Sequence, residues 1–70
     1  MNDRVECYSG GEYAERPTAL YWQDQRMKIV EILERSRTPG GKFFRVKTDQ
    51  AMIFELLYDQ LEDAWHITIK

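Results

Sequence analysis

The stretch Lys42-Phe43-Phe44-Arg45-Val46-Lys47 interleaves bases with aromatic rings, and Arg35 and Arg37 stand just upstream. This combination suits nucleic acid. Cations follow a phosphate backbone while a ring such as Phe43 stacks on a base, at ~1–3 kcal/mol per base. From residue 35 to residue 47 the chain carries five bases and no acid. Arg35, Arg37, Lys42, Phe43, Arg45 and Lys47 are therefore the candidate nucleic-acid contacts, and an acidic protein is the other partner such a field would attract. The competing reading is a solvated strand face whose charges pair locally, Arg45 with Glu55 and Lys47 with Glu31.

A second set of residues suits protein partners. Phe43, Ile53 and Leu57, with either Ile29 or Leu33, alternate away from the face that carries the other apolar side chains. Either an N-terminal strand, Val5-Glu6-Cys7-Tyr8, covers some of them or they form a patch for self-association or an adaptor role. Dimerisation would also support so small a domain. Tyr13 and Arg16, with Tyr8 and Trp22, are residue types favoured at binding hot spots, and equally at home on strands and rims.

Catalytic chemistry finds little support. Cys7 sits on an apolar strand as a small hydrophobe, and His66, between Trp65 and Ile67, points away from the core opposite Leu57. Neither joins a set with nucleophile–base spacing. One Cys and one His cannot make a four-ligand zinc site. Gly10-Gly11 and Gly40-Gly41 lack the pattern of a phosphate-cradling loop. Asp49, Asp59, Glu62 and Asp63 fall in turns, where Asp caps its own backbone; the last three would hold a cation weakly, with no EF-type loop. No catalytic residue, structural metal or cofactor is expected.

These side chains need a frame, and the composition says how large it is. Seventy residues, 43% of them hydrophobic and 13% aromatic, make one domain. A chain of this length buries about 60% of its unfolded surface, and it is too rich in aromatic residues for a disordered segment. No apolar run reaches the roughly 20 residues that span a bilayer. The charged start, Met1 to Glu6, does not read as a secretory leader, and the lone cysteine leads to the expectation of a reducing cytoplasm. The net charge of −2 conceals segregation: −2 over residues 1–26, +4 over 27–48 and −4 over 49–70.

Turn signals at Thr38-Pro39-Gly40-Gly41, Asp49-Gln50-Ala51 and Gln60 to Asp63 separate three segments of period two. Phe44, Val46 and Thr48 share a face; so do Met52, Phe54, Leu56 and Tyr58, and then Trp65, Ile67 and Ile69. Loops over 49–51 and 60–63 set Val46 opposite Phe54, Phe44 opposite Leu56, Arg45 opposite Glu55, Tyr58 opposite Trp65, Leu56 opposite Ile67 and Phe54 opposite Ile69. A slip of one residue would break that agreement.

Upstream, residues 18–23 read as a short strand begun by Pro17, and 9–16 as a loop. Residues 25–37 admit two readings. Met27, Val30 and Leu33 recur at helical spacing, which gives an α+β alternative with 25–37 helical. Ile29, Val30 and Ile32 are β-branched, and Val30 and Ile32 fall opposite Thr48 and Val46 across the Pro-Gly turn. A strand is favoured because the hairpins need an edge partner, although one so long requires a bend or bulge.

The succession Tyr8-Ser9-Gly10-Gly11-Glu12-Tyr13-Ala14-Glu15-Arg16-Pro17, Leu20-Tyr21-Trp22, Val30-Glu31-Ile32-Leu33, Phe44-Arg45-Val46, Phe54-Glu55-Leu56, Tyr58-Asp59 and Trp65 resembles a small bacterial domain family of unknown function. The likeness covers nearly the whole chain and rests mainly on core and turn residues. It implies a stand-alone domain and, because some members are encoded near error-prone DNA polymerases, a DNA-linked role. Ala51 departs from the glycine that relatives tend to carry in that tight turn. The expectation is an all-β domain of five to six strands, a small antiparallel meander curled into an SH3-like or half-open barrel. It would serve as a non-catalytic binding module, with the apolar-face adaptor as the alternative.

Overall fold

The computed structural model describes residues 5–8 and 16–70. Six antiparallel strands follow one another: β1 (Val5–Tyr8), β2 (Arg16–Trp22), β3 (Gln25–Thr38), β4 (Gly41–Thr48), β5 (Ile53–Asp59) and β6 (Ala64–Ile69). Each pairs with its sequence neighbour, so the sheet order is the chain order, a meander whose two ends do not pair. The sheet curls into a half-open barrel. Trp22 on β2 meets Phe54 on β5, ring centroids 5.3 Å apart.

Residues 25–37 are strand, not helix, and they supply the curl. Only Gln25 to Lys28 of β3 pair with β2. From Ile29 onward β3 pairs with β4, and the register shifts twice, between Ile29 and Glu31 and between Ile32 and Glu34. Each bulge adds a residue and sharpens the local twist, so β3 bends from one part of the sheet to the other. The bulges also correct the expected pairing: Ile29, not Val30, lies opposite Thr48. Val30, at the first bulge, is 58% exposed, and Leu33, at the second, is also exposed.

The inner face holds Val5, Leu20, Met27, Phe44, Val46, Phe54, Leu56, Tyr58 and Trp65 in one buried cluster, with Cys7, Trp22, Ile29 and Ile32 packed against it. Fully burying a side chain such as Phe54 or Leu56 stabilises by about 1.5–3 kcal/mol. The registers of β4 with β5 and of β5 with β6 are those the alternation requires, from Phe44↔Leu56 and Arg45↔Glu55 to Tyr58↔Trp65 and Phe54↔Ile69. Strand β2 begins at Arg16, one residue before Pro17 and inside the segment read as loop. The rest of that segment, 9–15, lies outside the described residues.

Turn chemistry sets these registers. Gln23 and Asp24 both have positive φ, 53° and 63°, the combination of a two-residue type I′ hairpin. Ala51, φ 63°, closes the three-residue turn, and its N–H donates to the Thr48 carbonyl at 3.0 Å. The Thr48 hydroxyl accepts from the Gln50 and Met52 amides, both at 3.3 Å. Gly41 is needed for space: a Cβ there would run into the backbone carbonyl of Tyr58. The Gln60 amide donates to the Gly40 carbonyl at 2.8 Å, binding the β5–β6 turn to the β3–β4 turn.

Two glycine exchanges should therefore move stability in opposite directions. Ala51→Gly removes left-handed strain and should stabilise by up to ~1 kcal/mol. Gly41→Ala should destabilise by about 2 kcal/mol or more, as overpacking against a fixed backbone does. Urea denaturation of both variants checks this; a loss of stability in Ala51→Gly would reject the turn geometry.

Candidate nucleic-acid interface

The β3–β4 ribbon carries all six sequence-predicted contacts but divides them between its two faces. Arg35 pairs with Phe44, and Arg37 with Lys42, which in turn pairs with Tyr58. Because directly paired residues share a face, Arg35, Arg37 and Lys42 stand on the inner side, at the hairpin's tip. Phe43, Arg45 and Lys47 stand on the outer side. The six residues therefore do not form a single surface.

Lys42 differs most from expectation, being only 8% exposed. Its ammonium is close enough to Cys7 to act on it electrostatically. Arg35 remains exposed and lays its guanidinium over the buried Phe44 ring, 5.9 Å from the centroid. Arg37 is exposed beside it.

On the outer face Arg45 is committed. Its guanidinium donates to Glu34 at 2.7 Å and to Glu55 at 3.0 and 3.3 Å. It also stands over the Phe43 ring at 6.0 Å. Lys70 adds a contact to Glu55 at 3.8 Å. Lys47 is exposed and registers opposite Glu31, the expected local partner. The outer face is thus a charge-balanced network and not a cationic track.

Phe43, Ile53 and Leu57, the candidate apolar patch, lie on the same outer face. Phe43 pairs with Leu57 and Leu57 with His66, while Ile53 pairs with Lys47. Leu57 is 39% exposed; Phe43 and Ile53 are half-buried. Strand β1 does not cover this patch: it pairs with β2, and its Val5 enters the inner core. Arg16 starts β2, with its guanidinium 5.2 Å from the centroid of the Tyr8 ring. Tyr13 lies outside the described residues. A cleft of about 420 Å³ opens where residues 16–18 of β2 part from residues 28–32 of β3.

Sequence reasoning missed a further group, Glu6 with Arg26 and Tyr21. Arg26 reaches Glu6 through two hydrogen bonds, 2.9 and 3.1 Å, and the Tyr21 hydroxyl donates to the same carboxylate at 2.8 Å. The pairing joins β1 to β3 across β2, and the β1–β2–β3 register was not derivable without the bulge in β2, where Thr18 is the extra residue opposite the Glu6–Cys7 step. These bonds lower the Glu6 pKa from 4.5 to about 2 and raise that of Tyr21. Burial pushes the Cys7 thiol up to about 11, against the smaller opposing pull of Lys42. A thiol so protonated is a poor nucleophile. No described helix is long and apolar enough to cross a membrane.

The Glu6 carboxylate gives a pH signature. With its folded pKa depressed, its contribution is complete above the ordinary value of 4.5 and fades as pH falls toward about 2. The melting-temperature gap between wild type and Glu6→Gln should stay constant from neutrality down to 4.5 and then close toward about 2. A gap independent of pH would show that the carboxylate charge contributes nothing.

No protein-family model, curated protein or solved structure matches this chain.

Proposed function

We propose that this chain is a small non-catalytic binding module that takes nucleic acid on the inner side of its β3–β4 hairpin tip. One observation carries the reading: Arg35, Arg37 and Lys42 share that side in adjacent rungs, while the acids of the ribbon, Glu31 and Glu34, register opposite Lys47 and Arg45 on the other. Local cationic fields of this kind attract a phosphate backbone even on a chain of net charge −2. The likeness to a family partly encoded beside error-prone polymerases favours nucleic acid over an acidic protein. Arg35 and Arg37 supply the accessible contacts, and the buried Lys42 adds to the field behind them.

Arg35→Ala with Arg37→Ala should weaken binding of a labelled oligothymidine about ten-fold or more in fluorescence anisotropy. The slope of log affinity against log salt should drop by about 1.4, the share of two phosphates on a single strand. Arg45→Ala should change both far less, because Arg45 stands on the outer face of the ribbon, away from the inner side of the hairpin tip. Wild-type affinity in the double variant at every salt concentration would refute the hairpin-tip reading.

The exposure of Leu57 beside Phe43 favours a second reading, a self-associating or protein-binding adaptor that uses the outer face. In the same anisotropy series Phe43→Ser with Leu57→Ser separates the two. Under the first reading it binds oligonucleotide normally; under the second, sedimentation shows a wild-type dimer that becomes a monomer.

A further inference from the structure

The turn between β5 and β6 gathers one imidazole and two carboxylates from three different positions. Asp59 ends β5, Glu62 lies within the turn and His66 lies on β6; one ligand atom from each falls within 4.8 Å of the other two. The register accounts for the meeting. Leu57 pairs with His66 and Asp59 with Ala64, so Asp59 and His66 are diagonal neighbours on the outer face.

His66 and Glu62 form only a loose pair, near the separation of two ligands on one ion. His66 Nε2 stands 3.6 Å from Glu62 Oε1, long for a hydrogen bond. Two ligands on a tetrahedral zinc, with bonds of about 2.0–2.1 Å, lie roughly 3.3 Å apart. The Asp59 carboxylate is already oriented: its Oδ1 accepts from the Leu61 and Glu62 amides at 2.9 and 3.3 Å, which leaves Oδ2 for an ion. Asp63, the turn's third acid, is engaged elsewhere, accepting from the Tyr58 hydroxyl at 2.6 Å.

We propose that Asp59, Glu62 and His66 form a surface site for a divalent transition ion, zinc above all, with the remaining coordination positions left to water. The imidazole sets the preference. Magnesium and calcium take shells of oxygen, whereas a nitrogen donor beside carboxylates suits zinc and its first-row neighbours. The site also relieves a cost of the fold, since three acids crowd a turn of few residues and a dication offsets their repulsion. It stands apart from the oligonucleotide reading, because none of the three residues belongs to the proposed hairpin contacts.

Titration of the full chain with zinc chloride in a non-chelating buffer, followed by calorimetry and NMR, tests the site. Saturable one-to-one binding is expected, with the largest shifts on the His66 ring and the 59–63 turn. Magnesium chloride at the same concentrations should leave the spectra unchanged. His66→Ala and Glu62→Gln, both at exposed positions that spare the fold, should each weaken zinc binding about ten-fold or more, the loss that removal of even an outer-shell partner brings. Cys7→Ser should bind as wild type. Undiminished affinity in His66→Ala, or shifts that centre on Cys7 and vanish in Cys7→Ser, would overturn the assignment.

Discussion

Strand β3 runs for 14 residues, and it cannot run straight and still close a core. Its first residues align with β2 and its later ones with β4, and the two bulges turn the chain between them. The bend lets Leu20, Met27 and Trp22 face Val46, Phe54 and Leu56 across a shared interior. Flattened, the same sheet would leave its apolar face with no second layer to bury it against. The bend also leaves the far edge of β3 beyond Lys28 without a second partner strand among the described residues. Two bulges and a run of charged residues, Glu31, Glu34, Arg35 and Arg37, make that edge a poor template for another chain.

How much of this was readable followed from parity. In β4, β5 and β6 apolar residues alternate without interruption, so one loop length at each turn made the registers unique. In β3 the residues nearest the core are Met27, Ile29 and Ile32, and Arg35 follows on the same side. Their separations are two, three and three, because each bulge inserts a residue. A spacing of three imitates a helix, which is why this segment stayed open between strand and helix. The need of the downstream hairpins for an edge partner favoured the strand, and the β-branched Ile29, Val30 and Ile32, stiff at χ1, suit a pleated surface.

The six candidate contacts could be nominated from the sequence, but their division between two faces of the ribbon was not read from it. Counting back from the Pro39-Gly40 turn sets Arg37 against Lys42 and Arg35 against Phe44, so the inner placement of these bases was within reach of the same parity rule. The run of interleaved bases and rings concealed it, because charge invites the assumption of exposure. Lys42 shows why that assumption fails, since a long aliphatic stem can lie along apolar surface while its ammonium reaches a polar rim. Contacts between strands that are not sequence neighbours, such as Glu6 with Arg26, had no sequence signal. The grouping of Asp59 with His66 needed the diagonal relation across a hairpin. The acids alone had suggested Asp63 in its place.

The pairing of every strand with its chain neighbour carries a consequence for how the molecule forms. From β2 onward each hairpin closes a loop of only a few residues, so these ladders are quick to assemble. The barrel is another matter. Its interior depends on Trp22 meeting Phe54, a contact between elements that share no hydrogen bonds. The first three strands held together by short ladders have almost nothing to bury until β5 arrives. During synthesis, therefore, the amino-terminal half would wait as a loose ribbon. The fold would become cooperative only when the Phe54 segment completes the wall opposite it.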